Sequence, residues 1–145
     1  MERAYETAYI IRGSRDTEIV KDERLIEIGF GLYEGTVVEE RKGSIALFFD
    51  DPQNYVAEKG AESYESLLAR TKAFIENVLF PIEENKPDAT VLISGHGALN
   101  KALFLHLLHK QLKDFWSGVY QGNCAVNKFE IKKGNVRLID EAKYY

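Results

Sequence analysis

The chain has 145 residues and is poor in cysteine and proline, with one Cys, Cys124, and three Pro. A single cysteine excludes a disulfide within the chain, the usual staple of small secreted domains, and points to a reducing compartment. Pro52, Pro81 and Pro87 are too scattered to mark a linker, and no repeat or low-complexity tract interrupts the sequence. Residues 1–145 therefore read as a single domain large enough to bury a core. No apolar run approaches the roughly 18 residues of a membrane span. The opening MERAYETAYI carries no apolar signal core. Basic charge is also short: 19 Lys and Arg stand against 23 Asp and Glu, a net charge of −4. Without a basic stripe, nucleic acid is a poor partner. A soluble, cytoplasmic chain with no membrane partner is expected.

What is present is ordinary globular composition, 45% hydrophobic and 29% charged. ERAYETAYII reads as a helix, with Ala4, Ala8 and Ile11 at helical spacing. TEIVKDERL reads as a short strand and its exit, and IGFGLYEG as a glycine-punctuated loop. TVVEERKG carries a capping box between Thr36 and Glu39, with Gly43 as its stop. The strongest helix runs through SYESLLARTKAFIENVLFPIEENK, with Ser63 as N-cap and Pro81 as a kink or end. ATVLIS is a continuous apolar run, the pattern of a strand covered on both faces. ALNKALFLHLLHKQL is apolar nearly all round and predicts a deeply packed helix. CAVNKFEIKKGNVRLIDE predicts a hairpin turning at Lys133, Gly134 and Asn135. The order argues an α/β fold with a closing hairpin. In such sheets ligands gather at the carboxyl ends of strands, which is where His96 falls.

His96 is flanked by Gly95 and Gly97, which free the backbone to turn and to approach a ligand closely. The helix start that follows offers N–H groups to an anion. A histidine there can donate a hydrogen bond to phosphate and, when protonated, add positive charge. GHGALN holds only two glycines of a dinucleotide fingerprint, with Asn100 in the third place, so a nucleotide-binding α/β domain ranks third among the readings. Glu27 and Glu34 lie on the aromatic loop, where a partly desolvated carboxyl serves as a general acid. Arg3 opens the first helix, and its planar fork suits phosphate. His106 and His109 lack further ligands at metal-site spacing. With Cys124 they read as core residues, and no metal or cofactor is expected.

Three segments together resemble the histidine phosphatase superfamily, which includes the cofactor-dependent phosphoglycerate mutases: ERAYETA, RLIEIGFGLYEG and VLISGHGALNKAL. GAESYESLLAR and NCAVNKFEI fit the same pattern, so the resemblance spans essentially the whole chain. It implies a three-layer sheet with helices on both faces, and phosphomonoester hydrolysis or phosphoryl transfer through a phosphohistidine. It further implies that Arg3 grips the phosphate, Glu27 is the general acid or base, His96 stabilises the phosphoryl group and Gly97 lends its backbone N–H. No metal or cofactor is implied, and the partner would be a small phosphorylated molecule or inorganic phosphate.

The family's nucleophile lies in an Arg-His-Gly segment on its first strand, and no Arg-His-Gly occurs in this sequence. The first strand and helix of the family pattern are thus expected to be missing, with a truncated or inactive form as the result. Loss of an interior strand should leave a gap with unpaired backbone groups beside the His96 segment. The alternative is a non-catalytic phosphate-binding or oligomerising module, as a homodimer or strand-swapped assembly. Substrate specificity would come from loops such as IALFFDDPQNYVAEKG.

Overall fold

The computed structural model describes residues 2–35, 43–58 and 60–145. The capping box at Thr36 and Glu39 lies outside the described residues. Helix α1 spans Glu2–Arg12, and Glu2 and Arg12 suit the dipole at its two ends. None of its residues is buried. Ala4 and Ala8 are half-buried as the spacing requires, but Ile11 is exposed.

The segment expected as a strand, residues 17–25, forms no ladder. It runs as extended chain into a 3₁₀ turn at Glu23–Leu25, capped by the Asp22 carboxylate on the N–H of Arg24. β-branched residues at 17, 19 and 20 favour extension, but extension becomes a strand only where a partner edge exists. The helix expected before Gly43 falls outside the described residues; Gly43 itself is described. It takes φ of 65°, a backbone state natural to glycine, and begins α2, Ser44–Asp50. The stretch read as a specificity loop thus contains a helix whose Ile45 and Phe48 are buried.

Phe48 sits at the centre of an aromatic cluster, stacked on Tyr64 at 4.8 Å and edge-on to Phe30, Phe49, Tyr55 and Trp116. Its carbonyl accepts from the Tyr64 hydroxyl (2.6 Å) and from Trp116 Nε1 (2.7 Å). Polar tips of buried aromatics are satisfied there, as burial requires.

Helix α3, Tyr64–Phe74, starts from Ser63, whose hydroxyl accepts the N–H of Ser66. It does not end at Pro81. A π turn at Ile75–Leu79 leads directly into α4, Phe80–Asn85, with Phe80 N–H bonded to Ile75 O. Proline clashes with the α-helical ladder one turn before it, and the wider turn there accommodates it. Helix α5, Gly97–Leu107, buries most of its surface, including Leu99 and Ala102, each 0% exposed. It ends in a Schellman motif: His109 takes φ of 51°, and the N–H of Lys110 bonds Leu105 O. His109 is therefore exposed rather than in the core, because the left-handed cap turns it outward. Cys124 also departs from expectation, lying exposed in the loop before β1. His106 is half-buried, as its apolar helix predicts, and its Nε2 lies 2.9 Å from Leu68 O on α3.

The sheet among the described residues is a two-stranded hairpin. β1 (Val126–Lys132) pairs antiparallel with β2 (Asn135–Lys143). The turn falls at Lys133 and Gly134, both with positive φ, the two-residue turn that matches strand twist. An α/β fold with helices flanking a small open sheet results.

The apolar run at 89–94 is the main departure. Residues 89–96 are extended but join no ladder, and the backbone groups of residues 90–95 make no hydrogen bonds among the described residues. Val91 is 44% and Leu92 59% exposed, where cover on both faces was expected. The side chains are those of an interior strand, yet no neighbouring edge among the described residues covers or pairs them.

Candidate functional site

The site forms where this extended segment enters α5. His96 is the N-cap residue, with φ of −131° and no hydrogen bond from its side chain to the helix. Its carbonyl accepts the N–H of Asn100, so its ring is not needed to start the helix. Neither Gly95 nor Gly97 adopts a positive φ, so neither glycine is required for an unusual backbone turn. Gly95 is needed for a different reason: a Cβ there would lie 2.8 Å from Leu99 Cδ2. Its close approach is to its own helix. A Cβ on Gly97 would meet nothing within 4 Å.

A helix start leaves four N–H groups without intrahelical partners. Here Glu27 satisfies two. Its Oε2 accepts from Ala98 N (3.1 Å), and its Oε1 from Leu99 N (2.8 Å) and from Ile28 N (3.0 Å). An acidic side chain at the positive end of a helix is favourably placed. The N–H of Gly97 has no partner among the described residues.

Arg3, His96 and Gly97 line one cleft of about 960 Å³, shared with Ser94, Asn100 and Asn127. Its walls are α1, the stretch from Leu79 through α4 to Pro87, the segment 89–95, α5, the loop 121–125 and β1. Much of the lining is apolar, with Ile10, Leu103, Phe104 and Phe129 among it. Ser94 Oγ donates to Ala4 O (2.7 Å), which ties α1, and hence Arg3, to the His96 segment. Asn127 Nδ2 donates to Gln121 Oε1 (2.6 Å) on the opposite wall. That wall is anchored by Lys101, 4% exposed, whose Nζ donates to Ser117 O (2.7 Å) and Val119 O (3.0 Å). Burial holds the Lys101 ammonium below its ordinary range, and the Glu141 carboxylate works against that shift.

The structure thus brings together Arg3, His96 and Gly97, with Glu27 bound to the first turn of the same helix. Glu34 does not join them: it accepts the N–H of Phe30 (2.7 Å) and closes its own loop. Asn100 and Ser94 on the cleft were not singled out from the sequence. Asn100 falls in the first turn of the helix predicted from Ala98, four positions after His96, so its closeness to the junction is the available signal. No group of His, Cys, Asp or Glu among the described residues could hold a metal ion. No described helix is long and apolar enough to cross a membrane.

Known proteins resemble this chain in sequence and in fold. The sequence model described as "Histidine phosphatase superfamily (branch 1)" matches residues 1–141. Phosphoserine phosphatase 1 of Hydrogenobacter thermophilus is 31% identical over 123 residues, covering 81% of this chain. The match covers 55% of that relative's length. Bacillus stearothermophilus YhfR superposes with a TM-score of 0.84 at 29% identity, over 99% of this chain and 70% of its own. A phosphoserine phosphatase mutant from Entamoeba histolytica, solved in complex with phosphoserine, gives 0.73 at 25% identity, over 97% and 68% respectively.

Proposed function

Because the chain belongs to the histidine phosphatase superfamily, we propose that its cleft is the phosphate site of a phosphomonoester phosphatase or mutase. His96 binds and stabilises the phosphoryl group, Gly97 donates its backbone N–H, and Arg3 grips the phosphate from α1. Glu27 is the proton carrier, held beside the same helix start. The observation that carries this reading is the shared cleft, which Arg3, His96 and Gly97 all line, with the Gly97 N–H unpartnered among the described residues. Phosphoryl transfer relies on positioning and charge stabilisation, which these groups supply. Transfer through a phosphohistidine also needs an attacking imidazole. The 145 residues contain no Arg-His-Gly, so these residues alone bind phosphomonoester and turn it over little or not at all.

Phosphoserine, named for two of the relatives, is the first substrate to test, with inorganic phosphate beside it. Calorimetry with the purified chain should give binding at millimolar ligand that His96→Ala abolishes. No binding at that concentration counts against the site. Robust phosphatase turnover, lost in His96→Ala, overturns the claim of inactivity.

A second reading is favoured by the backbone of residues 90–95, which is unpaired among the described residues. An unpaired extended segment beside an apolar cleft invites β-augmentation. In this reading the chain is an oligomerising module, as a homodimer or strand-swapped assembly. Pairing there would widen the hairpin into a sheet with helices on both faces, the three-layer form. Sedimentation at several concentrations tests it, and a strictly monomeric species sinks it.

A further inference from the structure

The loop that carries Glu27 has only two short 3₁₀ turns, Glu23–Leu25 and Gly31–Tyr33, yet its carboxylate meets two amides of α5 at 3.1 and 2.8 Å. Something must hold that loop against a helix 70 residues further along the chain. The contacts on either side of Glu27 identify it. Arg70 Nη1 donates to Arg24 O (2.8 Å), three residues before Glu27. Glu62 N–H donates to Gly29 O (2.7 Å), two residues after it. Arg70 and Glu62 are themselves joined by a bidentate pair, Nε to Oε1 at 2.8 Å and Nη2 to Oε2 at 2.9 Å. Their side chains are only 18% and 19% exposed.

We propose that the Glu62–Arg70 pair is a positioning device that grips the loop on both sides of Glu27 and sets its carboxylate on the start of α5. The inference rests on the reading of Glu27 as part of the phosphate site. Two features make the grip rigid. Arginine's planar fork spends two N–H groups on Glu62 and still has one for Arg24 O, which a lysine ammonium cannot reproduce in that geometry. Ser66 Oγ also donates to Glu62 Oε1 (2.9 Å), so the carboxylate is fixed from the α3 side as well. A second clamp backs the loop's entry. Arg24 forms a bidentate pair with Asp22 and donates from Nη1 to Ala73 O (3.3 Å) on α3. Glu62 and Arg70 belong to α3 and its approach, so α3 serves as the reference frame for Glu27. His106, bonded to Leu68 O, fixes α5 to that same frame.

The test is residue-resolved amide hydrogen exchange on the full chain, comparing wild type with Arg70→Lys and Glu62→Gln. Exchange is normalised to global stability from urea unfolding of each variant. In Arg70→Lys, protection at Ala98 and Leu99 should fall about tenfold beyond the global change, the loss of roughly one hydrogen bond. Protection at Ala102 to Leu105 should track global stability alone. Glu62→Gln keeps its backbone bond to Gly29 and an acceptor for Arg70, so its selective loss should be smaller than that of Arg70→Lys. A uniform loss along α5, or no change at Ala98 and Leu99, overturns the proposal. If Arg70→Lys does not fold, Glu62→Gln decides by the same selectivity. Inorganic phosphate is titrated separately into wild type. Absence of binding there removes the phosphate-site reading while leaving the exchange result to judge the clamp.

Discussion

Glu27 Oε1 lies 2.8 Å from the amide nitrogen of Leu99, a hydrogen bond spanning 72 positions of sequence. The same carboxylate that the family resemblance makes a proton carrier is also the N-terminal cap of α5. Stability and site chemistry are therefore tied to one side chain. Glu27→Ala leaves the Ala98 and Leu99 amides without it and should cost about 1 kcal/mol, the usual worth of a cap. Glu27→Gln retains an acceptor oxygen and should cost less. Urea midpoints at unchanged m-value check both. Equal stability of wild type and Glu27→Ala would show that the cap is not made.

Gly95 and Gly97 look alike in sequence and should behave differently. A methyl group at Gly95 would meet Leu99 Cδ2 at 2.8 Å, and Leu99 is 0% exposed, with little room to retreat. Gly95→Ala should destabilise by roughly 1–3 kcal/mol. Gly97→Ala projects into open space and should unfold like wild type, while crowding the cleft. Thermal denaturation of the two variants side by side is the measurement, and a larger loss for Gly97→Ala would contradict the geometry.

His106 should leave a mark on the pH dependence of folding. Burial pushes its imidazole below the ordinary value, while the hydrogen bond to Leu68 O pulls the other way. The unfolded chain takes up the proton near pH 6.5, and the folded chain only at lower pH. Within that window the unfolded state binds more protons. Stability is therefore full above about pH 6.5 and declines as pH falls toward the folded value. His106→Gln removes this step. Urea unfolding between about pH 5 and 8 should show a shallower slope for the variant, and identical slopes would count against the buried neutral ring.

Acid should also act through Glu62. Burial alone raises its pKa, but hydrogen bonds from Arg70 and Ser66 outweigh that and hold it below the ordinary value. Its contribution is present above the unfolded pKa of about 4.3 and is lost as pH falls through the depressed folded value. In Glu62→Gln the loss of stability from about pH 5 to 3 should be smaller than in wild type. An unchanged acid limb would place the titrating group elsewhere.

The elements that the sequence predicted well are those whose signals are local. Ser63 before the stripe of α3, the all-apolar α5 and the Lys133–Gly134 turn each depend on residues within a few positions. The segment at 89–94 is not the covered strand that its apolar run alone predicts, because a run is a strand only if another edge lies beside it, and its unpaired backbone among the described residues is what the expected loss of a neighbouring strand predicts. Arg3 and His96 could be nominated from residue type and position. That they would share a cleft depends on Ser94 holding α1, a contact between residues 90 positions apart. The partners of Glu27 had no local signature either, since backbone amides are supplied by every residue. His109 was misplaced because its spacing matches a buried stripe while its backbone is the left-handed cap.

The π turn at Ile75–Leu79 has the effect of a one-residue insertion into an otherwise continuous helical rod. Each residue of an α-helix advances the azimuth by about 100°, so everything beyond the turn is out of phase with α3. Phe74 and Ile75 pack in the core, Leu79 at the end of the turn joins the same cluster while also lining the cleft, and Ile82 beyond the turn lines the cleft. One surplus residue thus lets a single rod serve two walls. Deleting Val78 would restore the α-helical phase, swing Ile82 and Glu83 off the cleft, and bring Pro81 into conflict with the carbonyl one turn before it. The shape of the cleft is, in this sense, a matter of counting.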